Sequence, residues 1–299
     1  MADAANEVIL ARVVNGAIVS GDDNAAPVLW WSFGKTALAA AVLTFVRDGR
    51  ADLDAKMPDG PFTLRQVLQH RAGLPDYGNL PIYRQAVAGG QMPWSDDEFI
   101  ARTMRDERIP HPELGRFFYS NIGYLFVRRF LEAALGQPIG ELLQERLFGP
   151  LDIRNVRQAI TPADLLQTQW GNASSYHPGW VAHGLLIGPL ASAALFLDRL
   201  ITSPLIPPAL LKEMRGSVIV GGPIAGRPFV QPSYGLGVMM DPKAPAGRMV
   251  GHTGAGPGGV IAVYRFPDGR PDATIAAASP ASDEGIVEWA AVRAAQAAD

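Results

Sequence analysis

One stretch of the chain, Val28 to Val46, reads "VLWWSFGKTALAAAVLTFV" and carries a single charge, on Lys35. The eleven residues after that lysine hold two hydroxyls and no charge. A helix that is apolar on every side has to be enclosed, so the rest of the chain must wrap around this one. Enclosure leaves Lys35 two options. Its stem can carry the amine to the surface, or the fold keeps the amine inside, where an unpartnered ammonium is costly. Ser32 stands one helical turn before it.

The chain has 299 residues, 48% of them hydrophobic and 18% charged, enough for one large domain or two intertwined ones around a substantial core. A net charge of −3, with no long basic run, argues against nucleic acid and acidic membrane surfaces as partners. The absence of cysteine removes disulfides, thiolate nucleophiles and cysteine metal sites. "MADAANEVILARVVNG" lacks a positive start, and its apolar run breaks at Arg12, so it does not read as a signal peptide. The longest apolar segments, Ala37–Val46 and Gly184–Leu197, are shorter than the about 20 residues of a bilayer span. A soluble, cytoplasmic protein is expected, unless an export signal has been trimmed away.

Residues 7–20 read as strand, turn and strand around Asn15-Gly16. Helix is expected over 32–47, ending at Gly49, and again over 62–73 with Thr63 as N-cap. "WSDDEFIARTMRD" places Glu98 three residues after Ser95, a capping box that accounts for Asp96, Asp97 and Glu98 without acid–base chemistry or a metal. Further helices are expected over 121–135, stopped by Gly136, over 139–147 and over 190–200. From Tyr234 on, "YGLGVMM", "RMVGHTG", "GVIAVYRF" and "DATIAAAS" read as antiparallel strands, and a helix closes the chain. Strand signals at both ends and helices between them predict an α/β protein of the α+β type. One antiparallel sheet is built from both termini and flanked by helices, with a large, mostly helical inserted region. The expected organisation is a sheet region, 1–60 plus 231–299, intertwined with a helical region, 61–230, and a cleft between them.

Ser32 and Lys35 share one face at the start of a helix. A serine hydroxyl is a weak nucleophile until a base takes its proton, and a lysine is that base only when desolvation lowers its pKa. Trp30, Trp31, Phe33 and the alanines after Lys35 provide that setting. Alone, Ser-x-x-Lys says little, because an N-cap serine and a surface lysine give the same spacing. Two later segments add to it. Tyr119, Ser120 and Asn121 stand where a loop enters a helix, offering a phenol for proton relay and an amide to hold Lys35. His252, Thr253 and Gly254 stand on an expected strand that can line an extended substrate.

In this order, Ser-x-x-Lys, Tyr-x-Asn and His-Thr-Gly, the chain resembles the serine β-lactamase and penicillin-binding-protein superfamily. The Tyr-x-Asn form is similar to the class C β-lactamase branch, with its esterase, D-amino-acid peptidase and DD-carboxypeptidase relatives. "TLRQVLQHRAGLPDY" (63–77), "FYSNIGYLFVRRFLEAALGQPIGELLQERLFGPL" (118–151) and the text from Tyr234 to Gly259 carry the same likeness. The resemblance implies a β-lactamase/transpeptidase-like fold and an acyl-enzyme on Ser32, with Lys35 and Tyr119 sharing the proton relay. Which of the two is the base stays open. It further implies that Asn121 orients Lys35 and substrate, and that the N–H groups of Ser32 and Ala255 hold the oxyanion. His252 stands where β-lactamases usually carry lysine, and an imidazole only partly charged near neutrality weakens an anchor for a substrate carboxylate. Only 31 residues precede Ser32. Relatives usually spend more residues there, so loss of their N-terminal helix or a reduced sheet edge is expected, and a partner chain, as in a homo-oligomer, would cover the exposed edge.

"GAGPGG", 254–259, fits a dinucleotide-loop pattern but contains Pro257 and runs into strand-like text, so that reading is rejected. There is no Gly-x-Ser-x-Gly elbow, and the five histidines are scattered without metal-ligand spacing. No cofactor and no metal are implied. His70 and Asp76 read as structural. Tyr176, His177 and Trp180 are candidates to line the cleft, and loops 76–94 and 165–190 are expected to set substrate choice. The reading reached is a serine hydrolase acting on a small-molecule ester or amide, with esterase favoured. The alternatives are a D-amino-acid peptidase or amidase, a true β-lactamase, or, from another class, a penicillin-recognising sensor or binding protein without turnover.

Overall fold

A computed structural model describes residues 7–297. The chain opens with a hairpin of β1 (Ile9–Val14) and β2 (Ala17–Ser20), then a short strand β3 (Val28–Leu29). A 3₁₀ turn, Trp31–Phe33, runs into the long helix α1 (Gly34–Arg47). There follow α2 (Leu64–Leu68), α3 (Pro81–Ala88), α4 (Asp96–Arg105), α5 (Asn121–Leu135) and α6 (Ile139–Leu143). Next come β4 (Arg157–Gln158), α7 (Pro162–Leu166), β5 (Leu186–Gly188), α8 (Leu190–Thr202) and α9 (Pro208–Arg215). The rest is strand, β6 (Val218–Ile219), β7 (Ser233–Tyr234), β8 (Met239–Asp241), β9 (Met249–Gly256), β10 (Gly259–Phe266) and β11 (Ala273–Ser279), closed by α10 (Glu284–Gln296).

The eight-stranded sheet has the order β2-β1-β11-β10-β9-β8-β7-β6. Every pairing in it is antiparallel, and β1 lies against β11, with Ile9 opposite Ala278. The two chain ends therefore build one sheet, as the distribution of strand signals predicts. Strands β10 and β11 are buried along their whole length because both of their faces are covered. Ile261 and Val263 face one core with Ala276 and Ala278. Their neighbours Val260, Ala262 and Tyr264 face another, with Val287 and Ala291 of α10. Helix α8 packs on β1 and β11 on the first face.

Local signals hold where they are self-contained. Asn15 and Gly16 take φ of 52° and 75° in the first hairpin turn, the left-handed pair such a turn needs. Thr63 and Ser95 both form capping boxes. Asp96 pairs with Arg128 and Asp97 with Arg129, so the acidic run ties α4 to α5. Gly136 ends α5 with a φ of 68°. The helix expected over 139–147 instead widens into a π turn over Gln144–Phe148, where the Gly149 N–H reaches back five residues to the Gln144 carbonyl at 2.8 Å. Among the described residues no helix is long and apolar enough to cross a membrane.

Helix α1 is buried from Gly34 through Phe45, so it is enclosed as its sequence demands. Gly237, between β7 and β8, lets the sheet approach it. A Cβ there would fall 2.4 Å from the Ala39 Cβ and 2.9 Å from the Lys35 carbonyl oxygen. Thr36 Oγ1 donates to the Gly237 carbonyl at 2.7 Å across the same contact. Gly49 shares Gly237's φ of 68° but has nothing within 4 Å of its missing Cβ. Replacing each with alanine separates backbone strain from crowding. Gly237→Ala is expected to cost about 1–3 kcal/mol more than Gly49→Ala, read as a melting temperature lower by several degrees. Equal losses would mean that the approach of sheet to helix is not tight.

Candidate active site

The turn that leads into α1 is strained. Trp31 holds a φ of 43°, which a residue with a bulky side chain rarely adopts. Its ring lies edge-on to Tyr176 at 5.6 Å, and Gly256 leaves the space beneath it, where a Cβ would sit 2.6 Å from the indole. Half-buried Ser32 follows, and with Asn121 and Ala255 it lines two cavities, of about 450 Å³ and about 140 Å³.

Lys35 is fully buried, so its amine stays inside. The Nζ atom donates to Ser32 Oγ at 3.1 Å and to Asn121 Oδ1 at 2.7 Å, and it lies 4.9 Å from the centre of the Tyr119 ring. Burial lowers its pKa from 10.5 to about 7, with the charge of Asp76 pulling the other way. Asp76 fixes the amide that Lys35 uses. One carboxylate oxygen accepts the Asn121 backbone N–H at 2.8 Å, and the other accepts Asn121 Nδ2 at 3.3 Å, which turns Oδ1 toward the amine. Burial raises the pKa of Asp76.

The Tyr119 ring stands over Lys35, and its hydroxyl is near enough to Ser32 for that side chain to lower its pKa. Burial pushes the phenol well above 10, more than Ser32 lowers it, so the hydroxyl keeps its proton near neutrality. Behind it the His70 ring lies tilted against it, with centroids 4.2 Å apart. His70 Nδ1 accepts the Ser120 N–H at 3.1 Å, and burial holds the ring neutral, well below 6.5. His70 and Asp76 thus brace the Tyr119–Asn121 segment from two sides.

The third motif runs along β9. Gly254 is where that strand meets the 3₁₀ turn, since a Cβ there would lie 2.7 Å from the Trp30 carbonyl oxygen and 2.8 Å from the Ser32 nitrogen. Ala255 is exposed in the cleft. Thr253 Oγ1 donates to Glu288 and takes part in a 2.7 Å hydrogen bond with the Tyr264 hydroxyl. His252 departs from expectation. It is fully buried behind the cleft wall, its Nδ1–H donates to the Thr253 carbonyl at 2.6 Å, and its Nε2 accepts from the Tyr234 hydroxyl at 2.8 Å. Burial, reinforced by the charge of Lys35, lowers its pKa to about 3. The partial charge expected of this imidazole is absent, because burial and the nearby charge of Lys35 outweigh the hydrogen bond to the Thr253 carbonyl, which favours the charged ring.

The structure brings Ser32, Lys35, Tyr119, Asn121, Thr253, Gly254 and Ala255 to one place, with His252 behind them. Loops 76–94 and 165–190 supply Tyr77, Tyr83, Tyr176 and Trp180 to the smaller cavity, whereas His177 caps a short turn outside it. "GAGPGG" is the end of β9 and the turn into β10, not the opening of a helix. Sequence reasoning missed the wall of the larger cavity, which includes Phe117, Val220, Ile224, Arg227, Phe229 and Glu284. It also gave Asp76 no part in the site. The only available signal was the position of Asp76 in the segment that follows the first motif.

A buried lysine gives stability a definite pH slope. The folded value of about 7 lies below the unfolded value of 10.5. Between them the unfolded chain binds the extra proton, so stability rises with pH there and is lost as pH falls through 7. Denaturation of the wild type should therefore show a steeper rise than that of Lys35→Met between about pH 7 and 10, by up to about 1.4 kcal/mol per pH unit. Parallel curves would mean that the amine stays charged inside the fold.

Comparisons with known proteins bear on the family and the fold. Residues 23–296 match a family model described as Beta-lactamase. A D-aminopeptidase of Cereibacter sphaeroides is 30% identical over 97 residues, which is 32% of this chain and 18% of that protein, so the match spans under a fifth of the relative's length. A D-stereospecific amidohydrolase from Streptomyces sp. superposes with a TM-score of 0.77 at 22% identity, over 98% of this chain and 94% of that one. The D-amino acid amidase from Ochrobactrum anthropi SV3, complexed with L-phenylalanine amide, gives 0.76 at 19% identity over 97% and 93%. An octameric penicillin-binding protein homologue from Pyrococcus abyssi gives 0.74 at 18% identity, over 96% and 72%. With a family match that runs over nearly its whole length, the chain belongs to the beta-lactamase family.

Proposed function

We propose that the protein is a serine hydrolase that works through an acyl-enzyme on Ser32, in the cleft between its sheet and helical regions. The observation that carries this is a fully buried amine, its pKa lowered by burial to about 7, held 3.1 Å from the Ser32 hydroxyl. Neutral Lys35 takes the Ser32 proton as Oγ attacks the substrate carbonyl carbon. The N–H groups of Ser32 and Ala255 face the oxygen that gains the charge. Collapse expels the leaving group, which recovers the proton from Lys35 through the Tyr119 hydroxyl. Water then repeats the sequence on the acyl-enzyme and frees Ser32. Tyr119 is the relay and Lys35 the base, because burial drives a phenol away from ionisation and an amine toward neutrality.

The favoured substrates are small esters, whose leaving oxygen needs less help from a proton than an amide nitrogen does. Neutral His252 removes one anchor for the carboxylate that a β-lactam carries. A second reading, hydrolysis of a D-amino-acid amide or peptide, is favoured by the structural relatives described as amidase and amidohydrolase.

Turnover of p-nitrophenyl butyrate is expected in the wild type and should fall by at least about a thousandfold in Ser32→Ala. Activity that survives the substitution would remove Ser32 from the mechanism. The wild-type kcat/KM should climb with pH through about 7, since only neutral Lys35 accepts a proton. A flat profile from pH 5.5 to 8.5 would exclude Lys35 as the base. Nitrocefin should be a poor substrate, and a kcat/KM near that of an efficient β-lactamase would overturn the ester reading. If D-alanine p-nitroanilide were cleaved in preference to the ester, the second reading would take its place.

A further inference from the structure

The larger cavity beside Ser32 carries two charged side chains among its lining, Arg227 and Glu284. An arginine fork next to a hydroxyl, here Thr253, is the chemistry that recognises a carboxylate. In this protein the fork is already engaged. Arg227 Nη1 donates to Glu284 Oε2 at 2.6 Å, Nε donates to Glu288 Oε2 at 2.7 Å, and Nη2 donates to Glu288 Oε1. Glu288 is 1% exposed and reaches the cluster from behind the cavity wall. Glu284 and Glu288 stand one turn apart on α10, so both meet the same guanidinium. Glu288 Oε1 also accepts the one hydroxyl proton of Thr253.

One positive charge therefore faces two carboxylates. Burial raises the pKa of Glu288, while Arg227 and Thr253 pull it down. Both Glu288 oxygens accept, from Arg227 Nε and Nη2 and from Thr253, so the side chain is held as a carboxylate and the cluster carries a net negative charge. It has no positive charge to spare, and His252 next to Thr253 adds none. Contacts beside the cluster also hold the 226–229 segment against α10. Trp289 Nε1 donates to the Gly226 carbonyl at 3.0 Å, and Gly285 packs so closely that a Cβ would lie 2.4 Å from the same oxygen.

We propose that Glu288 sets the substrate's charge: by occupying Arg227 and Thr253 as an internal carboxylate, it makes the cavity beside Ser32 reject carboxylate-bearing substrates and accept neutral or ammonium-bearing ones. This rests on Ser32 being the reactive serine. Glu284, at the cavity surface, adds the outward-facing negative charge. Removal of the Glu288 charge leaves Arg227 Nε and Nη2 without a carboxylate partner while Nη1 stays on Glu284, so an anionic substrate gains what the protein's own side chain had held.

Boronic acids add reversibly to a reactive serine oxygen, so three of them with different charges test the inference. Phenylboronic acid, 3-carboxyphenylboronic acid and 3-(aminomethyl)phenylboronic acid are compared as inhibitors of p-nitrophenyl butyrate turnover. In the wild type the carboxylate should weaken inhibition at least about tenfold relative to the parent, and the ammonium should not weaken it. Glu288→Gln should erase or reverse the carboxylate penalty, and Arg227→Gln/Glu288→Gln should not show that gain. Should Glu288→Gln fail to fold, Glu284→Gln, at the half-exposed start of α10, must narrow the penalty about threefold. Equal inhibition by all three compounds in the wild type would overturn the inference. So would a penalty unchanged in Glu288→Gln, or a gain that persists when Arg227 is also removed. If phenylboronic acid itself does not inhibit, the assignment of Ser32 is at fault and this inference falls with it.

Discussion

Keeping the amine of Lys35 inside the protein is the constraint from which the rest of the site follows. The helix that bears it is enclosed on all sides, so the amine cannot escape along its own stem. A pKa lowered from 10.5 to about 7 corresponds to a penalty of roughly 5 kcal/mol on the charged form. Every contact the amine makes limits that penalty without abolishing it. Ser32 Oγ and Asn121 Oδ1 accept from it, the face of Tyr119 lies beside it, and Asp76 acts through its charge at a distance while its hydrogen bonds go to Asn121. A carboxylate in direct contact would hold the lysine charged and useless as a base. With the amide as intermediary, Lys35 keeps its position and loses most of its preference for the proton.

The same dryness explains why a lysine, and neither histidine, is the group suited to take a proton. Burial brings the lysine from 10.5 to about 7 and takes His252 from 6.5 to about 3, shifts of similar size from different starting points. His70 is likewise driven well below 6.5, and the phenols of Tyr119, Tyr124 and Tyr234 are all pushed upward. In such a nest every group moves toward its neutral form. Only an amine begins far enough above neutrality to finish near it. The aromatic surroundings thus select the residue type that the proposed mechanism uses, and they leave the histidines as struts.

What could be read from the sequence divides along the same line. Features settled by neighbours within a few positions were legible, including the Asn15-Gly16 turn, the Ser95 and Glu98 cap, and the end of α5 at Gly136. So was the grouping of Ser32, Lys35, Tyr119 and Asn121, because each motif is compact and their order is informative. The charge state of His252 was not legible, since it depends on burial and on the charge of Lys35, which only the fold brings near it. Nor was the larger cavity, whose wall is assembled when β6 joins the sheet beside β7 and α10 folds back under β9. Arg227 and Glu288 carry no motif. Their meaning appears only when a segment of the middle of the chain is laid against its last helix.

Trp31 joins these threads. A left-handed backbone at a bulky residue costs about 1–2 kcal/mol, and such strain persists only where the surroundings over-determine it. Here β9 approaches so closely that Gly254 has no room for a side chain beside the Ser32 nitrogen, while Gly256 and Tyr176 hold the Trp31 ring from two directions. The strained residue is therefore clamped between the sheet and the loop that lines the smaller cavity. Because Ser32 follows directly, its backbone direction is fixed by contacts on both sides of the cleft. A fold that must bury one lysine thus also fixes the serine one turn before it, and both requirements are met by the single short turn where the apolar helix begins.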